Sequence, residues 1–170
     1  MDPMPPRSQR ANFCVSLLFT VFGGPGFIVV YLPAVITRWH IPPSSTSLRF
    51  VACTLIVLGL LPLFESISRF VWAGRGTLAP FAPTETLVVS GLYRFVRNPM
   101  YVADLCAILG QVLLFQSPGL GLYAVLILLG LHLFITRYEE PTLHRKFGPT
   151  YDQFCQNVPR WIPRITPWVG

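Results

Sequence analysis

Four long apolar runs constrain this chain more than any other feature. A bilayer core about 30 Å thick asks for roughly 20 consecutive apolar residues in a helix. The runs fall at about 13–36, 48–72, 99–115 and 120–138. The third is short, and tilt or local thinning of the bilayer accommodates it. Of the 170 residues, 52% are hydrophobic and 12% charged, with a mean hydropathy of +0.55, which fits a small integral membrane protein better than a soluble domain. The expected fold class is all-α: one polytopic membrane domain over 1–170 with about four transmembrane helices and a cytoplasmic tail over 139–170.

The first run is longer than a signal-peptide core and lacks a convincing small-residue cleavage site, so it is read as a retained span. Its centre carries "GGPG" at 23–26, which should kink or split it. A break of that kind is tolerated where neighbouring helices, polar side chains or water satisfy the freed backbone groups. Two readings stand: a packing kink of the kind common in membrane helices, or a ligand contact.

Orientation follows from the cations. Eleven of the thirteen Lys and Arg residues lie in the N-terminal segment, the 73–98 connection with its preceding turn, and the tail; only Arg38 and Arg49 lie in the first loop, and the "QSPGLG" turn has none. The positive-inside rule places both termini and the 73–98 connection in the cytoplasm, consistent with a bacterial inner membrane. Topology and anionic lipid account for the basic excess, so no nucleic-acid partner is called for. Cys14, Cys53, Cys106 and Cys155 are scattered with no CxxC or His/Cys spacing, which supports neither a disulfide framework nor a metal.

Two polar stretches need explaining. In "GLYRFVRNPMY", 91–101, Asn98 and Pro99 fit an N-cap and first helical position. The third span should start there, its amides and partial positive charge flanked by Arg94 and Arg97, a setting suited to a carboxylate or phosphate. Arginines at that end also follow from topology alone. In "RYEEPTLHRKFGPTY", 137–151, Glu139 and Glu140 stand at the expected C-terminus of the fourth span, against the helix dipole, and Pro141 should turn the chain away from regular helix. An ion pair with Arg137 or Arg145 is the plainer reading. Because the short "QSPGLG" turn makes a hairpin of the third and fourth spans, Asn98 and Glu140 should be neighbours. Helix-end amides, two arginines and two carboxylates suit a zwitterion such as S-adenosylmethionine.

"LVVSGLYRFVRNPMYV" at 87–102 and "RYEEPTLHRKFGPTYDQFCQNVPRWIP" at 137–163, separated by one hairpin, resemble the isoprenylcysteine carboxyl methyltransferase and phospholipid N-methyltransferase superfamily. The resemblance covers roughly the second half of the chain, and "GRGTLAPFAPTETL" at 74–87 is similar to the linker of bacterial members. It implies S-adenosylmethionine as cofactor, bound at the cytoplasmic helix ends by Gly91, Tyr93, Arg94, Arg97, Asn98, Pro99, Tyr101, Glu139 and Glu140. Arg94 or Arg97 would take the methionyl carboxylate, and Glu139 or Glu140 the ammonium or a ribose hydroxyl. Asn98 departs from the histidine usual in the isoprenylcysteine enzymes, and an amide cannot titrate as that histidine would. The implied reaction is in-line attack of a substrate nucleophile on the sulfonium methyl, for which alignment and exclusion of water matter most. The partner would be a lipid or prenylated small molecule, carboxylate or amine, met in the membrane. The other class of function is a non-catalytic membrane binding or assembly protein that retains the fold.

The remaining titratable residues are secondary candidates. Asp104, inside the third span, is a substrate-side candidate that could pair with an arginine at the mouth. Glu65 has Arg69 one turn on for a local ion pair. His144 reads as a surface histidine and His132 as a hydrogen-bonding residue within the bundle. Tyr151, Phe154, Cys155 and Val158 recur at helical spacing, and with "VPRWIPRITPW" read as a short interfacial helix and aromatic anchor on the inner leaflet, with a role in covering the cofactor.

Overall fold

The computed structural model describes Leu18 and residues 22–74 and 86–169, with the side chains of 67–74 outside the description. Every regular element among these residues is helical: α1 (Phe27–Thr37), α2 (Thr46–Gly74), a 3-10 turn (Gly91–Arg94), α3 (Pro99–Phe115), α4 (Pro118–Phe134), a π turn (Ile135–Glu139), α5 (Glu140–Phe147) and α6 (Pro149–Asn157). Two stretches, Thr46–Ser66 and the continuous Pro118–Phe147, are long and apolar enough to cross a membrane, while Phe27–Thr37 and Pro99–Phe115 are shorter. Only 17% of either long apolar window is buried. The outward faces carry Phe50, Leu61, Phe64, Leu126 and Leu133, all exposed. A core helix of a soluble domain would turn such residues inward; here they form the kind of apolar surface that lipid covers.

The tightest seam lies between α2 and α3. A Cβ on Gly59 would stand 2.6 Å from the Ala107 nitrogen and 2.7 Å from the Ala103 oxygen, and one on Gly110 would stand 2.8 Å from the Ala52 oxygen. Small residues let the two backbones touch, and dispersion replaces the hydrophobic drive that lipid tails cannot provide. Ala52 and Ala107 are fully buried there.

The "GGPG" stretch precedes helix wound in the wide π form over Phe27–Tyr31. The backbone carbonyls of this irregular part are met from the hairpin: the Tyr123 hydroxyl donates to Ile28 O and the Gln111 amide to Val29 O, each across 2.8 Å. These bonds provide the polar compensation that an irregular membrane helix requires. The hairpin turn is built as its residues demand. Gln116 ends α3 in the left-handed region, and Pro118 opens α4 after Ser117, whose hydroxyl accepts from Leu120 N at 3.3 Å.

Two local expectations are corrected. The fourth helix does not stop at Pro141. A π turn over Ile135–Glu139 lets the missing proline N–H fall in the first turn of α5, and the helix continues to Phe147. Glu140 therefore lies inside a continuous helical run, its own N–H bonded to Ile135 O, and not at a helix C-terminus. The apolar stripe of α6 does not lie on a leaflet either: Tyr151, Phe154 and Val158 are buried against Leu87, Val89, Leu143, Phe147 and Trp168. The exposed apolar residues of this end are Ile162, Ile165 and Val169, beyond the helix.

Candidate functional site

The site is assembled where the Pro99 end of α3 meets the π turn after α4. Gly91, with φ of 57°, turns the chain from extended Ser90 into the 3-10 turn, a conformation that a side chain would strain. That turn buries Tyr93. Burial raises the Tyr93 phenol well above its ordinary value, and the Glu139 charge adds to the effect. Pro99 opens α3 as expected, and Asn98 O accepts the first helical bond from Val102 N at 3.1 Å. The Asn98 side chain, however, does not cap the helix. Its φ and ψ of −119° and 60° aim the amide elsewhere, and Nδ2 donates to Arg160 O at 3.1 Å.

Arg97 and Glu140 meet as the hairpin geometry requires. Arg97 Nη1 donates to Glu140 Oε1 at 2.9 Å and lies 2.9 Å from Cys155 Sγ, while Arg160 grips both Glu140 oxygens at 2.8 and 2.7 Å. Fork geometry around a mostly buried carboxylate makes these stronger than surface pairs. Glu140 pairs with Arg97 and Arg160 rather than with Arg137 or Arg145. Tyr101 donates its hydroxyl to Glu139 Oε2 at 3.1 Å. Arg94 is used differently: its Nε donates to Trp168 O at 2.7 Å and its own carbonyl accepts from Trp168 N at 2.9 Å. It fastens the tail.

A cavity of about 280 Å³ lies behind these groups. Its wall includes Tyr93, Arg97, Asn98, Pro99, Tyr101, Asp104, Glu139 and Glu140, with Phe134, Tyr138, Leu143 and Tyr151. Gly23, Gly24 and Pro25 also line it, so the glycine-proline stretch is a wall of the site as well as an irregularity in a helix. Gly91 and Arg94 do not line it. Two buried polar atoms facing this region, Arg97 Nε and Asp104 Oδ1, have no hydrogen-bond partner among the described residues. Asp104, 2% exposed, makes no ion pair with an arginine among the described residues, contrary to expectation. A separate open cleft on the far side of Glu140 shares Arg97, Glu140 and Tyr151 with the cavity.

The other candidates are peripheral. His144 is a surface residue 2.9 Å from Asp152, and His132 accepts from Trp161 Nε1 at 3.4 Å beneath a stacked ring. The expected Glu65–Arg69 pair involves a side chain outside the described residues. Sequence reasoning gave the segment of Arg160 and Trp168 a role as anchor and cofactor cover but did not place either residue at the site. This segment, 159–168, forms a strap laid along 94–97 by backbone bonds from Arg97 N to Pro159 O, Arg164 N to Phe95 O and Trp168 N to Arg94 O. An arginine braced between prolines was the available signal.

The donor set suits S-adenosylmethionine: a guanidinium with a free N–H for a carboxylate, an acid for an ammonium or hydroxyl, and aromatic and aliphatic walls. No group of three or more metal-ligating side chains occurs among the described residues.

A family model described as phospholipid methyltransferase matches residues 48–150. The nickel-cobalt-cadmium resistance protein NccN of Alcaligenes xylosoxydans is 25% identical over 69% of this chain and 54% of its own length. The cobalt-zinc-cadmium resistance protein CzcN of Cupriavidus metallidurans is 26% identical over 71% and 55%. A phosphatidylethanolamine N-methyltransferase of Yarrowia lipolytica is 36% identical over 38% of this chain and 7% of its own length. The chain thus spans about half the length of these bacterial relatives and a small part of the yeast one. No solved structure matches.

Proposed function

The chain belongs to the phospholipid methyltransferase family, and from that premise we propose that it transfers a methyl group from S-adenosylmethionine to a lipophilic, membrane-embedded acceptor. The observation that carries this reading is the cavity at the mouth of the α3–α4 hairpin. It gathers Tyr93, Arg97, Asn98, Tyr101, Glu139 and Glu140 from two separated stretches and leaves Arg97 Nε without a partner. Arg97 would hold the methionyl carboxylate, and Glu139, oriented by Tyr101, the ammonium or a ribose hydroxyl. Glu140 is a positioning residue, since Arg97 and Arg160 already occupy both its oxygens. When bound, the cofactor supplies an electrophilic methyl; the protein's part is to orient the reactants and exclude water.

In this reading α1 to α4 are the four spans, with the site and both termini on the cytoplasmic face of a bacterial inner membrane. The concentration of Lys and Arg at that end supports the orientation. The yeast relative, named for methylating phosphatidylethanolamine, supports an amine-headed lipid as acceptor; a prenylated carboxylate is the alternative.

A second reading is favoured by the names of the two bacterial relatives, both metal-resistance proteins: a membrane binding or assembly protein that keeps the fold without the reaction. Calorimetric titration of the detergent-solubilised protein with S-adenosylhomocysteine separates the two. Saturable binding that Arg97→Ala and Glu139→Gln each weaken is the expected result. No binding by well-folded wild type would overturn the first reading and leave the second.

A further inference from the structure

The acids of the cavity are not equivalent. Glu140 is spent on two guanidiniums, and Glu139 accepts from Tyr101. Asp104 lies on the same face of α3 as Tyr101, one turn deeper, or about 5 Å further along the axis. Its Oδ1 is buried without a partner among the described residues. A buried carboxylate oxygen lacking a hydrogen bond destabilises the protein unless a ligand completes it. Arg97 is the cation of the described cavity wall, and it is turned to Glu140.

Across the cavity stand Phe134 and Tyr138, stacked with centroids 5.3 Å apart. Both are also partly exposed, at 39% and 50%. A pair that lines the cavity, stays partly exposed and sits on the long apolar helix Pro118–Phe147 marks the side of the cavity on which an amphiphile can enter. Aromatic faces near an acid attract a cation by the ring quadrupole, and repel an anion.

We propose that Asp104 is the specificity-determining residue of this site: it receives the cationic amine head of an amphiphile that enters past Phe134 and Tyr138. A carboxylate-headed amphiphile offers Asp104 no cation to pair with and would have to bury its own charge unpaired, so it is bound less well. This inference rests on reading the cavity as a methyl-transfer site, and it assigns the acceptor end of that cavity to a particular side chain.

The test is native mass spectrometry of the protein in detergent with S-adenosylhomocysteine, comparing lysophosphatidylethanolamine with its N-acetyl derivative, which has the same chain and phosphate but no ammonium. Wild type should retain the ammonium form about ten- to hundredfold more tightly, as a charge-assisted hydrogen bond implies. Asp104→Asn should abolish that discrimination, Asp104→Glu should restore part of it, and both should keep wild-type affinity for S-adenosylhomocysteine, which also reports a folded site. Equal retention of the two lipids by wild type, or undiminished discrimination in Asp104→Asn, overturns the assignment. Discrimination without any binding of S-adenosylhomocysteine would leave Asp104 in its role and remove the cofactor reading instead.

Discussion

Arg97 and Glu140, 43 residues apart in the chain, are joined by a 2.9 Å ion pair whose carboxylate is shared with Arg160. The pair fixes the start of α3 against the start of α5, and Arg160 draws the tail onto the same point. Glu140→Ala leaves two guanidiniums facing each other in a largely buried place. The expected cost is about 2–4 kcal/mol, below that of a fully buried pair because all three groups keep some solvent contact. Thermal unfolding in detergent measures it, and Arg160→Ala should cost less than Glu140→Ala.

Arg94 and Arg97 should separate cleanly by phenotype. Arg97 faces the cavity, and Arg97→Ala should lower S-adenosylhomocysteine affinity by about tenfold or more. Arg94 binds Trp168 O and lies outside the cavity wall, so Arg94→Ala should cost roughly threefold or less while speeding proteolysis of the tail. Calorimetry and limited proteolysis on the two variants decide the matter; equal losses of affinity would contradict the geometry.

The α2–α3 seam predicts a contrast among glycines. Gly59→Ala places a methyl 2.6 Å from backbone, whereas Gly130 has nothing within 4 Å of its Cβ position. Overpacking of this kind costs about 1–3 kcal/mol, and Gly59→Ala should lower the midpoint of thermal unfolding. Gly130→Ala should leave it unchanged or raise it slightly, since alanine is the better helix former.

Alkaline pH should weaken the protein through Tyr93. Its phenol is buried and its folded-state pKa is raised above the ordinary value of 10.0. The stabilisation is complete below pH 10, where folded and unfolded chains are both protonated. It is lost as pH rises further, because only the unfolded chain then releases the proton. Stability should fall by about 1.4 kcal/mol per pH unit above that point for each such phenol. Comparing unfolding midpoints from pH 8 to 11 in wild type and Tyr93→Phe checks this, the variant showing the shallower slope.

Much of the site was legible because its signals are local. Pro99 does open a helix, the "QSPGLG" turn does make a hairpin, and the topology brings the Tyr101 and Glu139 side chains to 3.1 Å. The failures share a different cause. Asn98 has the residue type of a cap, but a tertiary acceptor, Arg160 O, wins its amide. Pro141 has the residue type of a helix stop, but a π turn absorbs it. The strap over 94–98 is held chiefly by main-chain groups, and main-chain pairing between distant segments leaves no mark on residue identity. Arg160 was missed because its side-chain fork to Glu140 closes only when the tail folds back on the helix.

The Gly59 and Gly110 contacts also decide where this molecule can give way. Backbones that touch leave no side-chain rotamers to absorb a relative displacement, so α2 and α3 must travel as one rigid body. The irregular start of α1 is tied to the hairpin by the Tyr123 and Gln111 bonds, and the strap by main-chain hydrogen bonds and the Arg94 and Arg160 side chains. Any breathing that admits or releases a molecule past Phe134 and Tyr138 therefore falls to α1 and the fourth helix, with the α2–α3 pair as the stationary frame for both.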